Sequence, residues 1–157
     1  MRGHVNQSLS LSLAALLALP RVELAAVNQC SGNSRGLFMP RSRRRAMGER
    51  GNGQRPLDRR AAARRAGQGG RQAGAVAVRF NGLDQPVVDG ASDFMKSLDI
   101  DHARDGEVML AYQMNGDQLP LLNGFPLRLI VPGWYSTYWI KMLDDIEVLD
   151  QPTIISG

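Results

Sequence analysis

From Ala75 to the C-terminus, apolar positions come in short runs separated by Asn, Gly, Asp and Pro, the pattern of strands joined by tight turns. Ala75 to Phe80 reads as a strand and Asn81-Gly82 as a turn, with Ser92 as the cap of a short helix running through Leu98. A hairpin follows. Its strands, Val108 to Gln113 and Asp117 to Leu119, flank Met114-Asn115-Gly116, where Asn and Gly supply the positive backbone angles of a tight primed turn. Leu127 to Val131 and Asp145 to Leu149 read as two further strands separated by an aromatic loop, Trp134 to Trp139. Nearer the N-terminus, Ser12 caps a predicted helix, Leu13 to Leu19, ended by Pro20, and Val22 to Val27 reads as a buried strand leading into a loop at Asn28 to Gly36. The apolar run Leu9 to Leu19 behind Arg2 also fits the hydrophobic region of a signal peptide, but the capped helix accounts for more residues. The expected class is α+β, mixed and rich in strands.

Composition narrows this. The 157 residues are 43% hydrophobic and 22% charged, enough for one compact domain. No apolar run reaches the 18 or so residues of a membrane-spanning helix. One cysteine, Cys30, excludes an intrachain disulfide and with it a disulfide-stapled scaffold. The net charge of +4 would suggest a nucleic-acid partner, but it is concentrated in one segment: 11 arginines and two acids lie between Arg41 and Arg71. The rest of the chain is mildly acidic, and the Arg, Gly and Ala segment has too few large apolar residues to bury a core.

Cys30 lies at the end of the strand predicted at Val22 to Val27, among small and polar residues that would leave its sulfur facing a pocket. An isolated cysteine is commonly a small buried hydrophobe. Here a thiolate would be a soft metal ligand, and Arg35 nearby would both favour the thiolate and offer a fork to an oxyanion. With no CxxC partner and two histidines, His4 and His102, a metal would have to bring most of its own ligands. By pattern alone, Arg128 alternates with Leu127 and Leu129 and falls on the exposed side of a half-buried strand, Lys141 and Arg35 are surface charges, and the aromatic loop is packing.

Two runs carry a resemblance. Asn28-Gln29-Cys30-Ser31-Gly32-Asn33-Ser34-Arg35 is similar to the cysteine loop of the molybdenum-cofactor domain of sulfite oxidases and bacterial sulfite dehydrogenases. The run from Glu107 through Tyr112-Gln113-Met114-Asn115-Gly116, Leu119-Pro120 and Asn123-Gly124-Phe125-Pro126-Leu127-Arg128 to Val131-Pro132-Gly133-Trp134-Tyr135, closing on Ile140-Lys141, resembles the same family over a longer stretch. The resemblance implies a mixed, strand-rich sulfite-oxidase-type molybdopterin-binding fold, incomplete in this chain. It implies a molybdenum-molybdopterin cofactor (a pyranopterin dithiolene) with Cys30 on the metal, Arg35 facing the substrate anion, and Asn123, Arg128 and Lys141 in the cofactor-binding set. Asn123 stands where many animal members have histidine, and Asp89 to Phe94 offers no tyrosine to match the family's active-site tyrosine.

The implied activity is oxidation of sulfite to sulfate, with electrons passed to a c-type cytochrome or haem subunit, in a periplasmic setting; the export signal is not in this chain, so a cytoplasmic one stays open. The alternatives are a related molybdenum sulfoxide or nitrate reductase domain, a basic nucleic-acid-binding protein, and a product without function; the leading reading includes no nucleic acid and no membrane span. Residues 42–72 stand where the family has a Gly-, Trp- and Ala-containing segment that contacts the pterin. Codons permitted for Arg44 to Arg59, read one base later, encode a similar segment; Met47-Gly48 forces a tryptophan codon in that frame, and the original frame resumes at Ala73-Gly74-Ala75. Residues 42–72 are therefore expected to be a frameshifted, poorly packed insert, and residues 1–157 a partial molybdopterin-binding domain with impaired activity. A homodimer is expected only of a full-length protein.

Overall fold

A computed structural model describes residues 1–32 and 72–153. Among them, β1 (Arg2–Gly3), β8 (Leu143–Leu149), β2 (Ala77–Gly82) and β3 (Lys96–Asp99) form a four-stranded sheet in that order. β2 is antiparallel to both neighbours, and β1 runs parallel to β8. A second pair, β4 (Met109–Ala111) with β7 (Arg128–Ile130), and a hairpin, β5 (Gln113–Met114) with β6 (Asp117–Gln118), complete the strands. The helix α1 (Leu13–Leu17) is short, and Ala15 N donates to Ser12 Oγ at 3.2 Å, the predicted cap.

The core joins the layers. Val78, Phe80 and Leu98 from the sheet meet Met109, Leu129, Ile130, Val131 and Ile140. Trp139 is buried among them and its indole N–H donates to Val131 O at 2.7 Å, which satisfies the polar end of the largest core side chain. The hairpin turns at Asn115 (φ 56°) and Gly116 (φ 88°), as the primed-turn chemistry required.

Three expectations need correction. Ser92 to Leu98 is not a helix: Lys96, Leu98 and Ile100 point inward in alternation, the period of a strand, and β3 pairs with β2. Asp93 takes the local bonds expected of Ser92, accepting from Phe94 N and from Asn81 Nδ2, each at 2.8 Å. Asn81-Gly82 is not a turn but the end of β2, where the register with β8 shifts; a Cβ on Gly82 would lie 2.3 Å from Lys141 O, so only glycine fits. Val22 to Val27 is neither strand nor buried. It has no ladder partner among the described residues, and Val22, Leu24 and Val27 are exposed. Residues 42–71 lie outside the described residues; Gln72 N donates to His4 O at 3.3 Å, tying the following segment to the N-terminus.

Candidate cofactor site

The structure has an open cavity of about 590 Å³. Its wall brings together Cys30, Asn123, Arg128 and Lys141 from three separate parts of the chain. Arg35 lies outside the described residues. Asn28, Asp84, Phe94, Leu122, Ser136, Trp139 and Met142 complete the lining; in the sequence Asn28 stands out only as the start of the cysteine-loop run, Phe94 as the end of the stretch without a matching tyrosine, and Trp139 as packing.

Each wall element is fixed by backbone bonding. The Cys30 segment is held by Ser136 N donating to Gln29 O at 2.7 Å, and Gly32 N donates to Cys30 Sγ at 3.3 Å. Lys141 is held by Leu129 N to Ile140 O at 2.8 Å on one side and Met142 N to Gly124 O at 3.2 Å on the other. Gly124, with φ 103°, lets Lys141 pass close by: a Cβ there would lie 2.8 Å from Lys141 Cβ. The Lys141 ammonium donates to Leu122 O at 2.6 Å.

Arg128 departs most from the alternation pattern. It lies on β7 between Leu127 and Leu129, yet its side chain turns inward and the residue is 3% exposed. One Nη1 donates to Asn123 O at 3.1 Å, and the guanidinium lies 5.8 Å from the Trp139 ring. Its Nε has no partner, and no carboxylate pairs with it among the described residues. Burial without a counter-charge pulls its pKa down to about 10. Lys96, also buried, lies 5.1 and 5.9 Å from the ring centres of Phe94 and Tyr138, again without a carboxylate among the described residues. The aromatic loop extends outward: Tyr138 meets Trp134 edge-on at 4.7 Å, and Trp134 stacks on His102 at 5.0 Å.

This wall fits a large anionic group carrying a soft metal. An unpartnered N–H in a buried arginine awaits an acceptor, Lys141 adds a point charge, and Cys30 offers a sulfur donor. Among the described residues no cluster of three or more His, Cys, Asp or Glu could bind a metal unaided, so the metal would arrive with other ligands.

The fold is that of a molybdopterin-binding oxidoreductase domain, and the chain belongs to that family: residues 1–154 match the oxidoreductase molybdopterin binding domain. Membership implies a molybdenum cofactor and an oxidoreductase function by family. The chain is 36% identical to human mitochondrial sulfite oxidase over 150 residues, 91% of this chain and 27% of that protein. It is 35% identical to the NADH nitrate reductase of Petunia hybrida over 94 residues, 59% of this chain and 10% of that one. Among solved structures it superposes on the sulfane dehydrogenase SoxCD of Paracoccus pantotrophus with a TM-score of 0.78 and 25% identity, covering 95% of this chain and 37% of that one. The chain thus spans about a quarter of the length of the sulfite oxidases it matches. No helix among the described residues is long and apolar enough to cross a membrane.

Proposed function

We propose that this cavity holds a molybdenum-molybdopterin group and that the chain is a domain of a sulfite-oxidising enzyme. The observation that carries this is Arg128, a buried cation without a counter-charge on the same wall as Cys30 and Lys141. Cys30 would ligate the metal, while Arg128 and Lys141 would hold the pyranopterin and its phosphate, with Asn123 fixing the guanidinium through its carbonyl. Once bound, the group would supply the two-electron redox chemistry. The protein would orient it and shield it from water; Arg35 would hold the sulfite anion. The overall change converts sulfite and water to sulfate, two protons and two electrons, the electrons passing singly to a c-type cytochrome or haem subunit. The resemblance to bacterial sulfite dehydrogenases supports a periplasmic setting.

Residues 42–72 are, in the same proposal, a frameshifted translation that replaces cofactor contacts. The coding DNA tests this alone: read one base on, it should give a Gly-, Trp- and Ala-containing peptide, and a stop or unrelated peptide would refute it. Sulfite-dependent reduction of cytochrome c or ferricyanide tests the activity. The frame-restored chain should turn over far faster than the chain as it stands, and Cys30→Ala should abolish that gain. The likeness to a nitrate reductase supports a second reading, a nitrate-reducing domain. Nitrate-dependent oxidation of a reduced viologen without any sulfite turnover would favour it.

A further inference from the structure

We infer that Asp84 is a further cofactor-binding residue, its carboxylate accepting a pair of hydrogen bonds from the exocyclic amino group and adjacent ring N–H of the pterin, an inference that rests on the molybdopterin reading above. Asp84 is exposed and lines the cavity, the only carboxylate to do so among the described residues. The chain fixes where it sits. Leu83 N donates to Met142 O at 3.0 Å, which pins the start of the loop beside another residue of the wall. Gly82 leaves room for the acid: a Cβ there would lie 2.9 Å from Asp84 Oδ1. Two cations share this wall, yet Asp84 pairs with neither. The Lys141 ammonium donates to Leu122 O and Arg128 to Asn123 O, and Asp84 makes no ion pair or side-chain hydrogen bond among the described residues. A carboxylate that served only to balance the wall's charge would close on one of them. Left free, it is an acceptor with two oxygens that match two parallel N–H donors, and it repels phosphate and sulfite alike. The neutral heterocycle is the part of the proposed occupant that carries such donors, since the amino group and neighbouring N–H of a pterin's pyrimidinone form a fork like that of a guanidinium. Arg128 and Lys141 then serve the anionic part of the group and Asp84 its heterocycle.

Lumazine, a pterin with a carbonyl in place of the amino group, separates this role from a structural one, because its oxygen would face the carboxylate. Titrated into the full chain made without cofactor and read by the fluorescence of the heterocycle, pterin should bind about tenfold more tightly than lumazine, the worth of one charge-assisted hydrogen bond. In Asp84→Asn that preference should vanish, since an amide offers a single oxygen and sets its own N–H groups against the second donor. The melting temperature of this variant should shift by less than about 2 °C, as the replaced side chain is exposed and unpaired. In the chain made by a host that synthesises molybdenum cofactor, pterin retained by Asp84→Asn after desalting should fall roughly tenfold. An unchanged preference in the variant, or no preference in a wild-type chain that retains cofactor, would overturn the role of Asp84 and leave the site reading standing. A larger drop in melting temperature, with pterin lost only in proportion to folded protein, would make Asp84 structural and likewise overturn it. A wild-type chain that binds neither heterocycle and retains no pterin would overturn both together.

Discussion

Arg79 and Arg128 lie on two different strands of one small domain and meet opposite electrostatic fates. On the four-stranded sheet, Arg79 pairs with Glu147, and Arg2 reaches both Glu147 and Asp145 at 2.8 Å. On β7, Arg128 is more deeply buried and has a carbonyl, an aromatic face and an unpartnered Nε, but no carboxylate among the described residues. Burying a cation without its counter-charge is unfavourable. On the sheet each of these cations meets a carboxylate; on the cavity wall, although Asp84 also lines it, Arg128 meets none among the described residues. The counter-charge that Arg128 lacks is what a ligand would bring.

The largest expected effect comes from the side chain shared by the two regions. Trp139 belongs to the core and to the cavity wall, so Trp139→Ala should cost about 3–5 kcal/mol in urea unfolding and abolish pterin retention with it. Next, Arg128→Met should lower pterin retention about 100-fold, the loss of a charge-assisted pair, while unfolding of the cofactor-free chain shifts by no more than about 1 kcal/mol. Arg79→Met should also cost about 0–1 kcal/mol in stability but leave pterin untouched. Their pH profiles differ too. Because burial lowers Arg128 in the folded chain to about 10, below the ordinary arginine range, the folded chain releases that proton first. Its contribution to stability is therefore flat below that pH and grows as pH rises through it, and urea unfolding of Arg128→Met should lack that rise. The smaller effect is Gly124→Ala, which forces a Cβ against Lys141 from a left-handed backbone; about 1–3 kcal/mol of strain is expected in thermal unfolding, with weaker pterin retention as Lys141 shifts.

What the sequence revealed follows the range of the interactions involved. The Asn115-Gly116 turn and the Ser12 cap were legible because a few neighbouring residues decide them. β3 was not: Ser92 looks like a cap, and only the pairing of Lys96 with Phe80 and Leu98 with Val78 makes that stretch extended. The Val22 to Val27 run has strand composition but no neighbour to pair with among the described residues, and composition alone does not bury it. At the site, the resemblance named Cys30, Arg128 and Lys141, while alternation placed Arg128 outward. Its inward turn depends on the space beneath β7, which no local pattern encodes.

The central claim is that the Cys30, Arg128 and Lys141 wall receives molybdopterin. The direct measurement is pterin and molybdenum per chain, in protein purified from a cofactor-synthesising host, for the wild type, Cys30→Ala and Arg128→Met. The expected result is measurable pterin and molybdenum in the wild type, molybdenum lost in Cys30→Ala, and both lost in Arg128→Met although that variant folds. Pterin and molybdenum absent from the folded wild type, or present equally in all three, would contradict it.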